Sequence, residues 1–454
     1  MLGAGAMRTS LLGAALVSTC GALAIVAACG QTDLGINVSP SQGPGTTARD
    51  EPKQRLDAFE ETAVAMLREG RDIFRFDTFG SEAFWGGKLR LHETIATKLS
   101  PRAALTLGLK VDVEKLDAKT IDAIKSGAVD LDSPATTLAL LKADSVIGVK
   151  GFFEGDSLTS VGIQCALCHT AVDDSLTAGI GRRLDGWPNR DLDVGRIVAS
   201  APTLAPIAEV LRVDEATVRT VLESWGPGKY DAELNLDGRA FRPDKKSGAT
   251  VIPAAFGLAG VNLHTYTGWG SVTYWNAYVA NTQMYALGRF YDPRLSDRAR
   301  FPVVERTGFD DLRPERDLVT AKLAPLHVYQ VAIPAPKAPE GSFDKAAAQR
   351  GEALFSGKAR CATCHTPPLY TEPGWSMHTA EEMGIDDFQA SRSPDAKFYR
   401  TTPLKGLFTR LRPGLYHDGR FPDLDAVIAH YERLLRLELT DPERRDLVEF
   451  LKSL

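Results

Sequence analysis

The chain has 454 residues, of which 24% are charged and 44% hydrophobic, with a net charge of −5. That length is enough for two or three domains. The mildly acidic balance gives no sign of the strongly basic composition that points to a nucleic acid or an anionic lipid surface.

Arg8 precedes an apolar run over residues 11–28, the charged and hydrophobic parts of an export signal. The run closes on Val26-Ala27-Ala28-Cys29-Gly30, which resembles a bacterial lipobox. Residues 1–28 are therefore expected to be a lipoprotein-type signal peptide, with Cys29 lipidated and the body periplasm-facing at a bacterial membrane. An uncleaved anchor is the competing reading, because about eighteen apolar residues can just span a bilayer. Residues 29–51, rich in Ser, Gly, Thr and Pro, have little to bury and read as a flexible tether. Over 52–150 the pattern is mostly helical, with Leu56, Phe59, Val64, Met66 and Leu67 at helical spacing. Phe74, Phe76, Phe79, Phe84 and Trp85 form an aromatic cluster that reads as packing.

Next come two copies of Cys-x-x-Cys-His: Cys165-Ala166-Leu167-Cys168-His169 and Cys361-Ala362-Thr363-Cys364-His365. This is the pattern of c-type haem attachment. Two thiols add to the two vinyl groups of one porphyrin, and the adjacent imidazole binds the iron. A zinc ribbon would need its two pairs close together, and these lie far apart. The remaining cysteines, Cys20 and Cys29, precede the folded body and leave it none for a disulfide. Two covalently bound haems are expected.

Each motif is followed by the same layout. Ile252-Pro253 leads to Tyr266-Thr267-Gly268-Trp269 and a helix over 272–284; Thr402-Pro403 leads to His417-Asp418-Gly419-Arg420 and a helix over 424–435. Such a repeat implies duplicated domains. Between them, residues 332–342 form a Pro-rich link. Ser342 or Asp344 can cap a helix over 345–355, and Thr440-Asp441-Pro442-Glu443 is a capping box for the last one. The expected fold is mainly α: an N-terminal helical extension (52–150), then two cytochrome c-like haem domains in tandem (151–331 and 343–454).

Three segments resemble the C-terminal haem domain of the bacterial dihaem cytochrome c peroxidases and their MauG-type relatives: Tyr399-Arg400-Thr401-Thr402-Pro403-Leu404, Tyr416-His417-Asp418-Gly419-Arg420-Phe421 and the stretch 424–431. The resemblance runs over 161–454 and leaves 52–150 without a counterpart. It implies a C-terminal haem that relays electrons to an N-terminal haem that cleaves peroxide. The family's bridging Trp corresponds to Tyr266, with Trp269 and Trp275 nearby. Its distal acid–base Glu corresponds to Gln283, and a carboxamide can hydrogen-bond peroxide without shuttling its proton; Glu223 is a candidate substitute. The family's switchable distal His has no equivalent between His169 and Pro253, which implies a first haem open without reductive activation, or capped by another side chain. The axial position of the second haem corresponds to Tyr431, with His430, Met377 and Met383 as alternatives. A family calcium would use carbonyls matching Thr401 and Pro403, but its Asn ligand corresponds to Val251, which counts against calcium.

The expected function is an exported dihaem oxidoreductase that uses peroxide as oxidant, with Tyr266 and Gln283 in the catalytic machinery. Its donor would be a small redox carrier: a cytochrome c, a cupredoxin or a quinol-linked chain. The lipid anchor would hold it to a membrane, and no nucleic acid partner is expected. An electron-transfer cytochrome without peroxidase activity, and a MauG-like oxidase of an organic or protein substrate, are the alternatives.

Overall fold

The described residues are about 43% helical, and among them the strands form only two-stranded pairs. The computed structural model describes residues 51–454, with side chains from Asp57 onward. The expected signal peptide, its lipobox and nearly all of the tether lie outside them. No helix among the described residues is long and apolar enough to cross a membrane.

The first helix, α1 (Glu51–Phe76), buries only its C-terminal half. Phe59 is 72% exposed, whereas Ile73 and Phe74 are buried. Gly70 lets α1 approach the helix Leu323–Ala332: a Cβ there would lie 1.9 Å from the Pro325 carbonyl oxygen. The aromatic cluster packs as expected, with Phe74, Phe79, Phe84 and Trp85 all buried and Trp85 Nε1 donating to the Met284 carbonyl at 2.9 Å.

The expected boundary at residue 150 does not separate two cores. Phe84, Leu91, Leu140 and Leu141 of the extension share one apolar cluster with Leu167, Leu192, Leu222 and Ile252. The reason is size. The extension's helices α2 (Leu91–Lys98) and α3 (Pro134–Lys142) have 8 and 9 residues, too short to hold helical structure without a partner surface. The hairpin β1 (Val149–Glu154) and β2 (Ser157–Ile163) also crosses the boundary and delivers the chain to Cys165. Gly148, at φ +81°, fits this junction because a Cβ would fall 2.2 Å from Leu167 Cα.

The second core is built on α4 (Lys345–Ser356), α5 (Leu424–Leu435) and α6 (Asp441–Ser453), with Phe355, Ile428, Leu447 and Phe450 buried together. Asp344, not Ser342, caps α4 by accepting from the Ala346 and Ala347 amides at 2.8 and 3.0 Å. The Thr440–Glu443 capping box forms as expected. Gly351 permits the α4–α6 contact, since a Cβ would sit 2.0 Å from the Asp446 carbonyl oxygen. A fully buried Arg392 ties the two halves of the chain together through Asp231 and Asp237, each at 2.8 Å. Breaking such a pair on one side would strand a buried charge.

Candidate functional site: a cavity lined by both Cys-x-x-Cys-His motifs

The first motif forms a single helical turn, Ala166–His169, at the end of β2. The second forms a tight turn, Cys361–Thr363, just after α4. Both open onto one cavity of about 1360 Å³, whose wall includes all four motif cysteines, His169 and His365. That exceeds the roughly 300–1,000 Å³ of a pocket for one drug-sized ligand.

The donor atoms suit a haem. Burial pushes the Cys165 and Cys168 thiols up to about 12 and Cys361 to about 11, so these are neutral thiols and not free thiolates. Burial also lowers both motif histidines to about 4, leaving neutral imidazoles at pH 7. His365 Nδ1 faces the Tyr370 carbonyl at 3.2 Å. A carbonyl only accepts, so Nδ1 carries the proton and Nε2 keeps its lone pair for a metal. His169 Nδ1 is buried without a well-formed hydrogen bond.

Several expected site residues meet in this wall. Tyr266, Gln283, Trp275 and Tyr431 all line the cavity. Trp269 packs edge-on to Trp275 at 4.8 Å, one layer back. Among the alternatives to Tyr431, Met383 reaches the wall. His430 instead has its Nε2 on the Met383 carbonyl at 2.8 Å, and Met377 packs over Gly268. Burial pushes the Tyr431 phenol up to about 12, with the neighbouring Tyr416 hydroxyl acting in the opposite direction and the sulfurs of Cys364 and Cys361 raising it further.

Glu223 is not the missing acid: it ends the helix Glu215–Glu223 with its side chain in solvent. Glu233 lines the cavity instead. It is buried, its Oε2 has no hydrogen-bond partner, and burial raises it to about 7 against the opposing pull of Arg392. Sequence reading missed it because Asp231-Ala232-Glu233 looks like a solvated acidic run. His417 was missed as a functional side chain for a similar reason. Its ring lies in the cavity wall, 6.3 Å from Tyr266 and stacked at 5.0 Å on Tyr399.

The residues at the expected calcium position do not fit a cation. The Thr401 carbonyl accepts from the Thr371 hydroxyl at 2.5 Å, and the Pro403 carbonyl accepts from the Arg410 guanidinium at 2.7 Å. Val251, at the Asn position, is fully buried and apolar. A guanidinium therefore already serves one of the carbonyls a calcium would need. Elsewhere, Cys364, Glu372 and His378 place one donor atom each within 4.8 Å of one another. His378 Nε2 lies 2.6 Å from Glu372, so this trio reads as an ion pair beside the second motif.

No family model matches the chain. It is 31% identical over 122 residues to "Methylamine utilization protein MauG" of Methylorubrum extorquens, covering 24% of this chain and 34% of the relative. It is 31% identical over 157 residues to "Cytochrome-c peroxidase IdrP1" of Denitromonas iodatirespirans, covering 24% and 42%. The chain thus spans less than half the length of each curated relative. Among solved structures, a hydrazine synthase from Kuenenia stuttgartiensis is similar over 52% of this chain and 92% of its own, at 17% identity and a TM-score of 0.26, a score too low to carry an argument. Both sequence likenesses are to proteins named as a MauG and a cytochrome c peroxidase.

Proposed function

We propose that the chain is an exported dihaem c-type oxidoreductase of the peroxidase/MauG type, using peroxide as oxidant. The observation that carries this reading is that both Cys-x-x-Cys-His motifs open onto one cavity of about 1360 Å³. Cys165 and Cys168 would hold one haem and Cys361 and Cys364 the other, with His169 and His365 offering imidazole nitrogens to the irons. The bound haems supply the iron-centred redox chemistry. The protein's part is to position, relay and handle protons. Tyr431, in the same cavity wall as His365, would supply a phenol oxygen to the second haem. Gln283 offers a carboxamide that holds peroxide by hydrogen bonds. Glu233 Oε2 takes and returns the proton that Gln283 cannot move, and its position near neutrality suits that task. Tyr266, with His417 and Tyr399 beyond it, forms an aromatic path in the shared wall. Electrons arrive from a small carrier such as a cytochrome c, a cupredoxin or a quinol-linked chain, and Cys29 anchors the protein to the membrane.

A MauG-like oxidation of an organic or protein substrate is the second reading, favoured by the phenol of Tyr431 in the wall. An assay of peroxide consumption by the holoprotein, with a reduced small cytochrome as donor, tests the main reading. Peroxide-dependent oxidation of the donor is expected, and Glu233→Gln should slow it on the order of 10²-fold. No consumption with any donor would leave an electron carrier.

A further inference from the structure

The unmatched chemistry of the cavity wall is cationic. Arg190, Arg400 and Arg410 all line it. Arg392 and Arg183, also buried, each sit on a carboxylate. The three cavity arginines instead hydrogen-bond backbone carbonyls: Arg190 to Arg412 at 3.3 Å, Arg400 to Thr265 at 3.0 Å, and Arg410 to Pro403 and Lys405 at 2.7 and 3.0 Å. Each keeps one buried nitrogen without a partner, namely Arg190 Nε, Arg400 Nη1 and Arg410 Nε. Burial pulls Arg400 and Arg410 down to about 10, and Arg410 is lowered further by the charges of Arg190 and Arg400. Tyr266 lies among them: the Arg400 amide donates to the Tyr266 carbonyl at 2.8 Å, the Arg400 guanidinium to the adjacent Thr265 carbonyl at 3.0 Å, and Tyr266 lines the same wall as Arg190 and Arg410. Uncompensated cations in a desolvated wall are costly, and a guanidinium fork matches a carboxylate by two parallel hydrogen bonds.

We propose that Arg190, Arg400 and Arg410 form a carboxylate-binding cluster around Tyr266, and that its ligands are the propionates of both haems. The inference rests on the dihaem reading above. Attachment through the vinyl groups leaves the two propionates of each haem free to bind. Arg190 follows the first motif in the chain, while Arg400 and Arg410 follow the second. The cluster is therefore composite, drawing on both halves of the chain. A free carboxylate entering the cavity would present the same chemistry, so the test must separate the two.

The experiment uses holoprotein whose content of two haems has been measured first, so that a negative result bears on the cluster alone. Spectroelectrochemical titration is run on wild type, Arg400→Gln, Arg410→Gln and Arg410→Lys, each with and without succinate. Removing a positive charge beside the propionates should shift the midpoint potentials of both haems downward. Arg410→Lys should recover most of that shift, and succinate should leave the wild-type spectrum unchanged. Unmoved potentials, together with a wild-type response to succinate that the variants lose tenfold or more, would assign the cluster to a free carboxylate and overturn the propionate assignment. No effect of either kind would overturn the cluster altogether. Should the Gln variants fail to accumulate, resonance Raman of the wild type decides: a propionate bending band that shifts in D₂O is expected for both haems, and its insensitivity overturns the proposal.

Discussion

In the proposed dihaem reading, a phenol oxygen supplied by Tyr431 would favour Fe(III) more strongly than a thioether does, so the side chain at 431 would set how readily the second haem reaches high oxidation states. Tyr431→Phe should convert one low-spin haem signal to high-spin in electron paramagnetic resonance and leave the other haem unchanged; an unaltered spectrum would make Tyr431 a packed aromatic. Glu233 gives a second residue-scale expectation, in stability. Its folded-state value lies at about 7, above the ordinary carboxylate value of 4.5. The native state therefore holds a proton that the unfolded chain has lost over that window. Its contribution is fully present below about 4.5 and is lost as pH rises through about 7. The groups that surround it are Arg392, Asp231, Asp237, Gln389, Tyr230 and Tyr278. In urea titrations from pH 4.5 to 8, Glu233→Gln should flatten the decline seen in wild type; an equal slope would mean that another group carries it. The two residues also differ in how legible they were. Tyr431 could be found because it lies a fixed number of positions along one helix. Glu233, His417 and the three cavity arginines could not, because their burial is decided by segments distant in sequence.

At the scale of elements, local signals translated well. The Thr440–Glu443 box forms, the helix after the second Pro-Gly layout runs over Leu424–Leu435, and strands stay short and paired. What local pattern left hidden is close approach. Nothing around Gly148 or Gly351 announces that a backbone from elsewhere in the chain passes where a Cβ would be. Two variants separate these effects. Thr440→Ala removes a cap and should cost about 1 kcal/mol in chemical denaturation. Gly351→Val drives a side chain into the α4–α6 contact and should cost more than about 3 kcal/mol. Equal, small losses would show that α6 can move away from α4.

For the whole molecule, the extension is the part that pattern reading separated most wrongly from its partner. Its short helices carry half of an apolar surface, and Leu167 of the first motif carries part of the other half, so a boundary drawn from helix periodicity cut through a shared core. The proposed membrane attachment through Cys29 belongs to this scale too. Cys29→Ser should release the protein from membranes or block processing of its leader, and unchanged partitioning into detergent would indicate an uncleaved anchor. The central claim is that one cavity holds two covalent haems, and it is tested most directly by counting them. A pyridine haemochrome assay on the mature protein, matched to its intact mass, should give two haems per chain, falling to one in either Cys168→Ser or Cys364→Ser; a wild-type value near one or zero would contradict the account.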